Sequence, residues 1–257
     1  MHRPALPLLL AVAVASLASA QSTPASRPPT VVVLDPGHGG DDIGVRPPDG
    51  VAEKDVVLQV AQRVATAIDA KSNLHAVLTR DTDRQVALDD RAASANRASG
   101  AAFISLHVNS APSSDASGWV IYLPSDPRPL PSRRGEPPNA ARPITVPLPG
   151  GGSKELPLIG WTAAQQPHAD DSRRLAALLA QHLQGSGDTP VSISRAPLRV
   201  LAGVAMPAVL LELGYLTTPS FADEVTTEPW QTTVAQAIAE AVADFVSGVE
   251  PAADEAR

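Results

Sequence analysis

The sequence predicts a single α/β domain, a twisted, mostly parallel sheet of about six strands with helices on both faces. Three observations carry that expectation. Short apolar, β-branched runs alternate with segments of helical spacing, the pattern of strands joined by crossover helices. The first run, VVVL at 31–34, is apolar on successive residues, as a strand buried on both faces must be. Once a leader is set aside, about 235 residues remain, an ordinary size for one α/β domain with a full core.

The elements follow in order. Residues 1–20 read as a secretory signal, with Arg3 as a basic start, a mostly apolar core at 8–17 and Ala18-Ser19-Ala20 as a small-x-small cleavage site. That core is too short for a spanning helix of about 20 residues, so the protein is expected to be exported, periplasmic or extracellular, with no membrane span. Residues 21–29 (QSTPASRPP) form a polar, proline-containing linker. The first strand covers 30–34. Residues 54–71 are helical, with Val57, Val60, Ala61, Val64, Ala67 and Ile68 on one face. A strand at 74–79 follows, then a helix at 86–99 with Leu88, Ala92, Ala95 and Asn96 on one side. Strands are expected at 102–108 (AFISLHV) and 118–123 (GWVIYL).

The alternation breaks at 124–167, where eleven prolines exclude an ordinary helix over most of the length. The two short apolar runs around GGG in its middle predict a hairpin. Regularity returns with an amphipathic helix over DSRRLAALLAQHL, opened by an acid and a serine. Two short strands are expected at 198–201 and 208–211, then a short helix at 219–224 and a long alanine-rich helix at 230–246. Residues 249–257 are an acidic tail.

Composition narrows the chemistry. The net charge is −7, and −8 without Arg3, which argues against a nucleic-acid partner and against electrostatic capture by an anionic surface. There are no cysteines, so any metal must be held by histidines and carboxylates. GHGGDD lacks the lysine and spacing of a phosphate-binding P-loop, and neither a GxSxG elbow nor HExxH is present.

In open α/β sheets, sites form at the carboxyl ends of strands. His38 follows the first strand, His107 ends the third, and Glu212 ends the last. Glu53 stands at the start of the first long helix, where an acid also suits the helix dipole. A lone histidine in an apolar strand is usually a satisfied core residue. Two histidines and one carboxylate, however, form a standard zinc set that leaves a position open, and a second carboxylate can serve as general base. Asp35 is a candidate for orienting a ligand imidazole, against a turn role beside Pro36. Asn109 is a candidate substrate contact, against a turn role after its strand. Arg80 reads as a structural ion-pair partner, and His75, His168 and His182 as surface residues.

The stretches VVVLDPGHGGDDIGV, EKD at 53–55, LTRDTD at 78–83, RAASAN, FISLHVNS and PAVLLELGYLT occur in this order. Together they resemble the zinc-dependent N-acetylmuramoyl-L-alanine amidases of the type-3 class, over about residues 31–246. The resemblance implies one catalytic domain at 30–248, interrupted by the insert at 124–167. It implies His38, Glu53 and His107 as ligands of one zinc ion and Glu212 as catalytic acid/base. The reaction it implies is hydrolysis of the amide between N-acetylmuramic acid and L-alanine. The partner would be peptidoglycan or a soluble muropeptide, met by a monomer. A stem-peptide carboxypeptidase and a non-catalytic peptidoglycan-binding module are the alternatives. Some family members carry a blocking helix in the insert that a protein activator removes. The prolines here exclude such a helix over most of the insert, so a groove wall or lid is expected instead. Gly100-Ala101-Ala102 and Thr217-Thr218 depart from the family's usual residues.

Overall fold

The computed structural model describes residues 28–47, 50–125, 142–147, 153–158 and 164–252. The expected signal peptide, most of the linker, much of the insert and the end of the tail lie outside these residues. The main sheet contains β1 (Thr30–Pro36), β2 (Leu74–Leu78), β3 (Ala102–Asn109), β4 (Trp119–Pro124), β7 (Val191–Ala196) and β8 (Ala208–Tyr215). Between β4 and β7, β5 (Arg142–Pro147) and β6 (Ser153–Leu158) pair with each other as an antiparallel hairpin, where the two apolar runs predicted one. The order across the main sheet is β2-β1-β3-β8-β4-β7. All neighbours are parallel except β4 and β8.

β1 has the expected two-sided burial. Val32 and Leu34 join one apolar cluster while Val33 joins the other. The larger cluster lies under α1 (Glu53–Asp69), α3 (Ala169–Gln184) and α6 (Glu228–Val246). The smaller one lies under α2 (Leu88–Ala98) and α4 (Arg199–Ala202). Helices therefore cover both faces. The short α5 (Pro219–Glu224) follows β8. Among the described residues, no helix is long and apolar enough to cross a membrane.

One strand expectation fails. Residues 198–201 are not a strand; Leu198 precedes α4 and the other three lie within it, with Val200 and Leu201 packed into the smaller cluster. The strand in this region is β7, at the sheet edge, with four of its six side chains exposed. Its mixed, mostly exposed sequence VSISRA hides a strand whose contribution is backbone pairing, whereas a run as short as LRVL cannot by itself distinguish strand from helix.

Topology places the insert's two roots together. Ser125 N–H donates to Ala196 O at the end of β7, and the Gln165 amide donates to Met206 O at 2.8 Å, just before β8. Both roots therefore sit at the amino end of β8. Glu212 lies four residues further along that strand, about 13 Å at the usual rise.

Candidate metal centre and active site

His38, Glu53 and His107 arrive from three different elements. His38 sits in the loop after β1 with φ of +58°, a conformation unusual for a residue with a side chain. Glu53 is the first residue of α1, and His107 lies near the carboxyl end of β3. One potential ligand atom from each falls within 4.8 Å of the others, a set able to hold a metal ion. The carboxylate is the hub. Glu53 Oε1 lies 2.9 Å from His107 Nδ1 and 3.1 Å from His38 Nε2, and it accepts the Val108 N–H at 3.1 Å. Glu53 Oε2 accepts the Val45 N–H at 2.9 Å. Burial alone would raise the Glu53 pKa. The two imidazoles and Val45 overcome it and hold the group well below the ordinary carboxylate range.

The glycines around these groups make room. A Cβ on Gly37 would fall 2.3 Å from His107 Cε1, inside the imidazole's own volume. A Cβ on Gly44 would fall 2.5 Å from Glu53 Oε2 and 2.7 Å from His38 Cδ2, and Gly44 itself has φ of +63°.

The hydrogen bonds of His38 argue for a cation. Its Nδ1 is 2.8 Å from Asp42 Oδ1, an oxygen that can only accept, so Nδ1 carries the hydrogen. In a neutral ring Nε2 then presents a lone pair to Glu53 Oε1, two like dipoles face to face. Either a proton or a metal cation relieves this contact. Accordingly, although burial lowers the His38 pKa, the Glu53 and Asp42 carboxylates raise it overall. A metal can take the place of that proton among two imidazoles and a carboxylate, so the residues fit the group.

Glu212 stands beside this cluster. It pairs in register with His107 across β3 and β8, which places both side chains on one face of the sheet. Its Oε2 is buried and, among the described residues, has no hydrogen-bond partner. Burial pushes its pKa up to about 7; the charge of Glu53 adds to the rise, and the imidazoles partly offset it. A buried carboxylate oxygen without a donor is costly, and this one belongs to the strand residue in register with a candidate ligand.

The sequence pattern of the family described as N-acetylmuramoyl-L-alanine amidase matches residues 32–244. The chain belongs to this family. The amidase AmiC of Neisseria meningitidis serogroup B is 28% identical over 229 residues, 84% of this chain and 53% of that protein. The chain thus spans about half the length of such curated relatives. Among solved structures, the amidase AmiC2 of Nostoc punctiforme is 27% identical, with a TM-score of 0.63 over 85% of this chain and 97% of that one. The catalytic domain of CwlV from Bacillus (Paenibacillus) polymyxa, at 24% identity and a TM-score of 0.64, shares the fold over 85% of this chain and 98% of its own.

The other candidate residues of this amidase-family chain have hydrogen-bond partners of their own. Asp35 touches neither imidazole. Fully buried, it accepts from Thr79 Oγ1, Ser105 Oγ and Arg91 Nη1. Arg91 also donates to Pro36 O and His38 O, so Asp35 acts on the His38 backbone through a guanidinium rather than on a ring. Asp42 holds the ring instead. Its signal was available in HGGDD, where an acid four residues after the histidine can fold back onto it. Asn109 takes the turn role: its Oδ1 accepts the Ser110 N–H, and its carbonyl accepts the Leu216 N–H. The departure at Thr217-Thr218 leaves two working hydroxyls. Thr217 Oγ1 accepts the Ala111 N–H and Thr218 Oγ1 donates to Ala116 O, pinning the loop between β3 and β4 beside the site.

Proposed function

We propose that this protein is a zinc-dependent N-acetylmuramoyl-L-alanine amidase that hydrolyses the amide between the lactyl group of N-acetylmuramic acid and L-alanine in peptidoglycan, outside the cytoplasmic membrane. Family membership supports the substrate class. The observation that carries the chemistry is the unpartnered Glu212 Oε2 beside the His38–Glu53–His107 cluster.

In this reading His38, Glu53 and His107 hold the ion. The chemistry that bound zinc supplies is Lewis acidity toward the scissile carbonyl and toward water. The remaining work belongs to side chains. Glu53, kept ionised by its two imidazole neighbours, contributes a full negative charge to the donor set at neutral pH. Asp42 fixes the His38 tautomer by accepting its Nδ1–H, leaving Nε2 free as a ligand atom. Glu212 receives the proton of the attacking water on Oε2 and returns it to the departing amide nitrogen. A pKa near neutrality suits both halves of that transfer. Burial around Glu212 removes competing solvent, which strengthens each charge interaction at the centre.

The test is a digestion of purified muropeptides by metal-loaded wild type and by Glu212→Gln. Release of an intact stem peptide with a free L-alanine amine is expected from wild type, with a loss of roughly 10²–10⁴-fold in the variant. Zinc content should be equal in the two. Release of a terminal amino acid instead would identify a carboxypeptidase, and full activity in Glu212→Gln would overturn the assigned role.

A further inference from the structure

Two of the three proposed ligands stand on segments joined directly by only a few bonds, among them Glu53 N–H to Val45 O, Lys54 N–H to Ile43 O and Lys54 Nζ to Gly40 O. His38 rides on the loop after β1 and Glu53 on the first turn of α1. One side chain from outside both segments also ties them. Arg80, just past β2, is completely buried. Its Nε donates to Pro36 O at 3.0 Å and its Nη2 to Gly37 O at 2.7 Å, the two carbonyls that precede His38. The same Nη2 donates to Lys54 O at 2.8 Å, the residue after Glu53. Its Nη1 reaches Thr82 O at 3.2 Å.

All of these partners are neutral carbonyls. Among the described residues, no carboxylate lies within ion-pair distance of Arg80, so the expected ion-pair role is replaced by another. A buried cation without a direct ion-pair partner is expensive. Burial and the neighbouring Arg91 pull its pKa down, and the carboxylates of Asp83, Asp35 and Asp55, beyond ion-pair distance, offset only part of that. The space for it is also built in, because Gly39 lies so close that a Cβ there would approach Arg80 Cδ and Nε to 3.0 Å. A core that needed only to be filled would be better served by an apolar residue of similar volume. What a guanidinium adds is a rigid fork that sets the spacing of several carbonyls at once.

We propose that Arg80 is a positioning residue for the metal centre: by holding the carbonyls of Pro36, Gly37 and Lys54 on one guanidinium, it sets the separation between His38 and Glu53 that a metal ion requires. This rests on the zinc reading of the site. Arg91 acts on the far side of the same loop, through Pro36 O and His38 O, but does not reach α1. Arg80 is thus the one guanidinium of the pair that couples the two ligands.

The test uses the full chain with Arg80→Gln, Arg80→Lys and, as a surface control, Arg199→Gln. Zinc dissociation constants are measured by competition with a chromophoric chelator, and thermal unfolding of the metal-free proteins is measured separately. Arg80→Gln should bind zinc about 10- to 100-fold more weakly, as is usual when an outer partner of a metal ligand is lost. Arg80→Lys should fall between it and wild type, because an ammonium can reach one carbonyl but not three. Arg199→Gln should match wild type. A merely structural role would lower the melting temperature of the metal-free protein and leave the zinc affinity of the folded fraction intact, and that result overturns the proposal. Failure of both Arg80 variants to fold overturns it as well. The amidase reading fails separately, in the wild type, if no intact stem peptide is released; the affinity ratios are read regardless of that outcome.

Discussion

Replacing Gly37 by alanine gives the sharpest perturbation of the site. The Gly37 backbone does not lie in the left-handed region, so alanine meets no conformational barrier there and the whole effect comes from collision. The added Cβ would sit 2.3, 2.6 and 2.7 Å from three atoms of the His107 ring. Ordinary contact begins near 3.4 Å, so the imidazole must retreat by about 1 Å. It cannot do so freely, because its Nδ1 is held at 2.9 Å by Glu53, whose other bonds anchor it to Val45 and Val108. Overpacking of this kind costs about 1–3 kcal/mol. In a domain of this size that lowers the melting temperature by about 2–12 °C. The larger effect should be functional, since displacement of a ligand by 1 Å can cost about 100-fold. The assay is zinc affinity by chelator competition beside muropeptide hydrolysis, with metal-free melting as the stability measure. A folded Gly37→Ala protein with wild-type zinc affinity and rate would refute the assigned contact between Gly37 and a ligand imidazole.

Glu212 must be ionised to take a proton, and its pKa is raised by burial to about 7, so kcat/KM should fall as pH drops through that region. A bound cation lowers the midpoint below about 7; a rate that shows no acid limb at any pH at which the protein keeps its metal would contradict the general-base role. Stripping the metal with a chelator should abolish hydrolysis and lower the melting temperature, since a ligand at 1,000 times its Kd stabilises by about 4 kcal/mol, or about 8–16 °C here. Equal melting curves with and without zinc would argue against a folded-state site. Deleting residues 131–157 should leave zinc affinity unchanged, because both roots of the insert lie at the amino end of β8, away from the ligands. Faster or slower muropeptide release by the deletion protein would show that the insert reaches the groove.

Much of the fold is legible in local patterns. The doubly buried β1 and the amphipathic faces of α1 and α3 follow from the spacing of apolar residues alone, because each buries what its period presents. The strand β7 is not legible, since an exposed edge strand is held by backbone bonds that no side chain announces. The run before β8 misleads for the converse reason. Leu198, Val200 and Leu201 are apolar to fill the space under α2 while Arg199 is exposed, and so short a run serves that purpose in either conformation.

The site divides along the same line. His38, Glu53, His107 and Glu212 are readable because their types and strand-end positions suit one chemistry. What keeps them in place is not, because it depends on which carbonyls a buried side chain meets after folding. Asp35 looked like a partner for an imidazole and instead neutralises Arg91; Arg80 looked like half of an ion pair and instead holds four carbonyls. Both outcomes serve one physical requirement. His38 occupies a left-handed conformation that costs about 1–3 kcal/mol and persists only when its surroundings over-determine it. Guanidinium bonds to the carbonyls of Pro36, Gly37 and His38 supply that determination from both sides of the loop. The strain at His38 and the two buried arginines are therefore one feature, and weakening either arginine should release the loop before it unfolds the sheet.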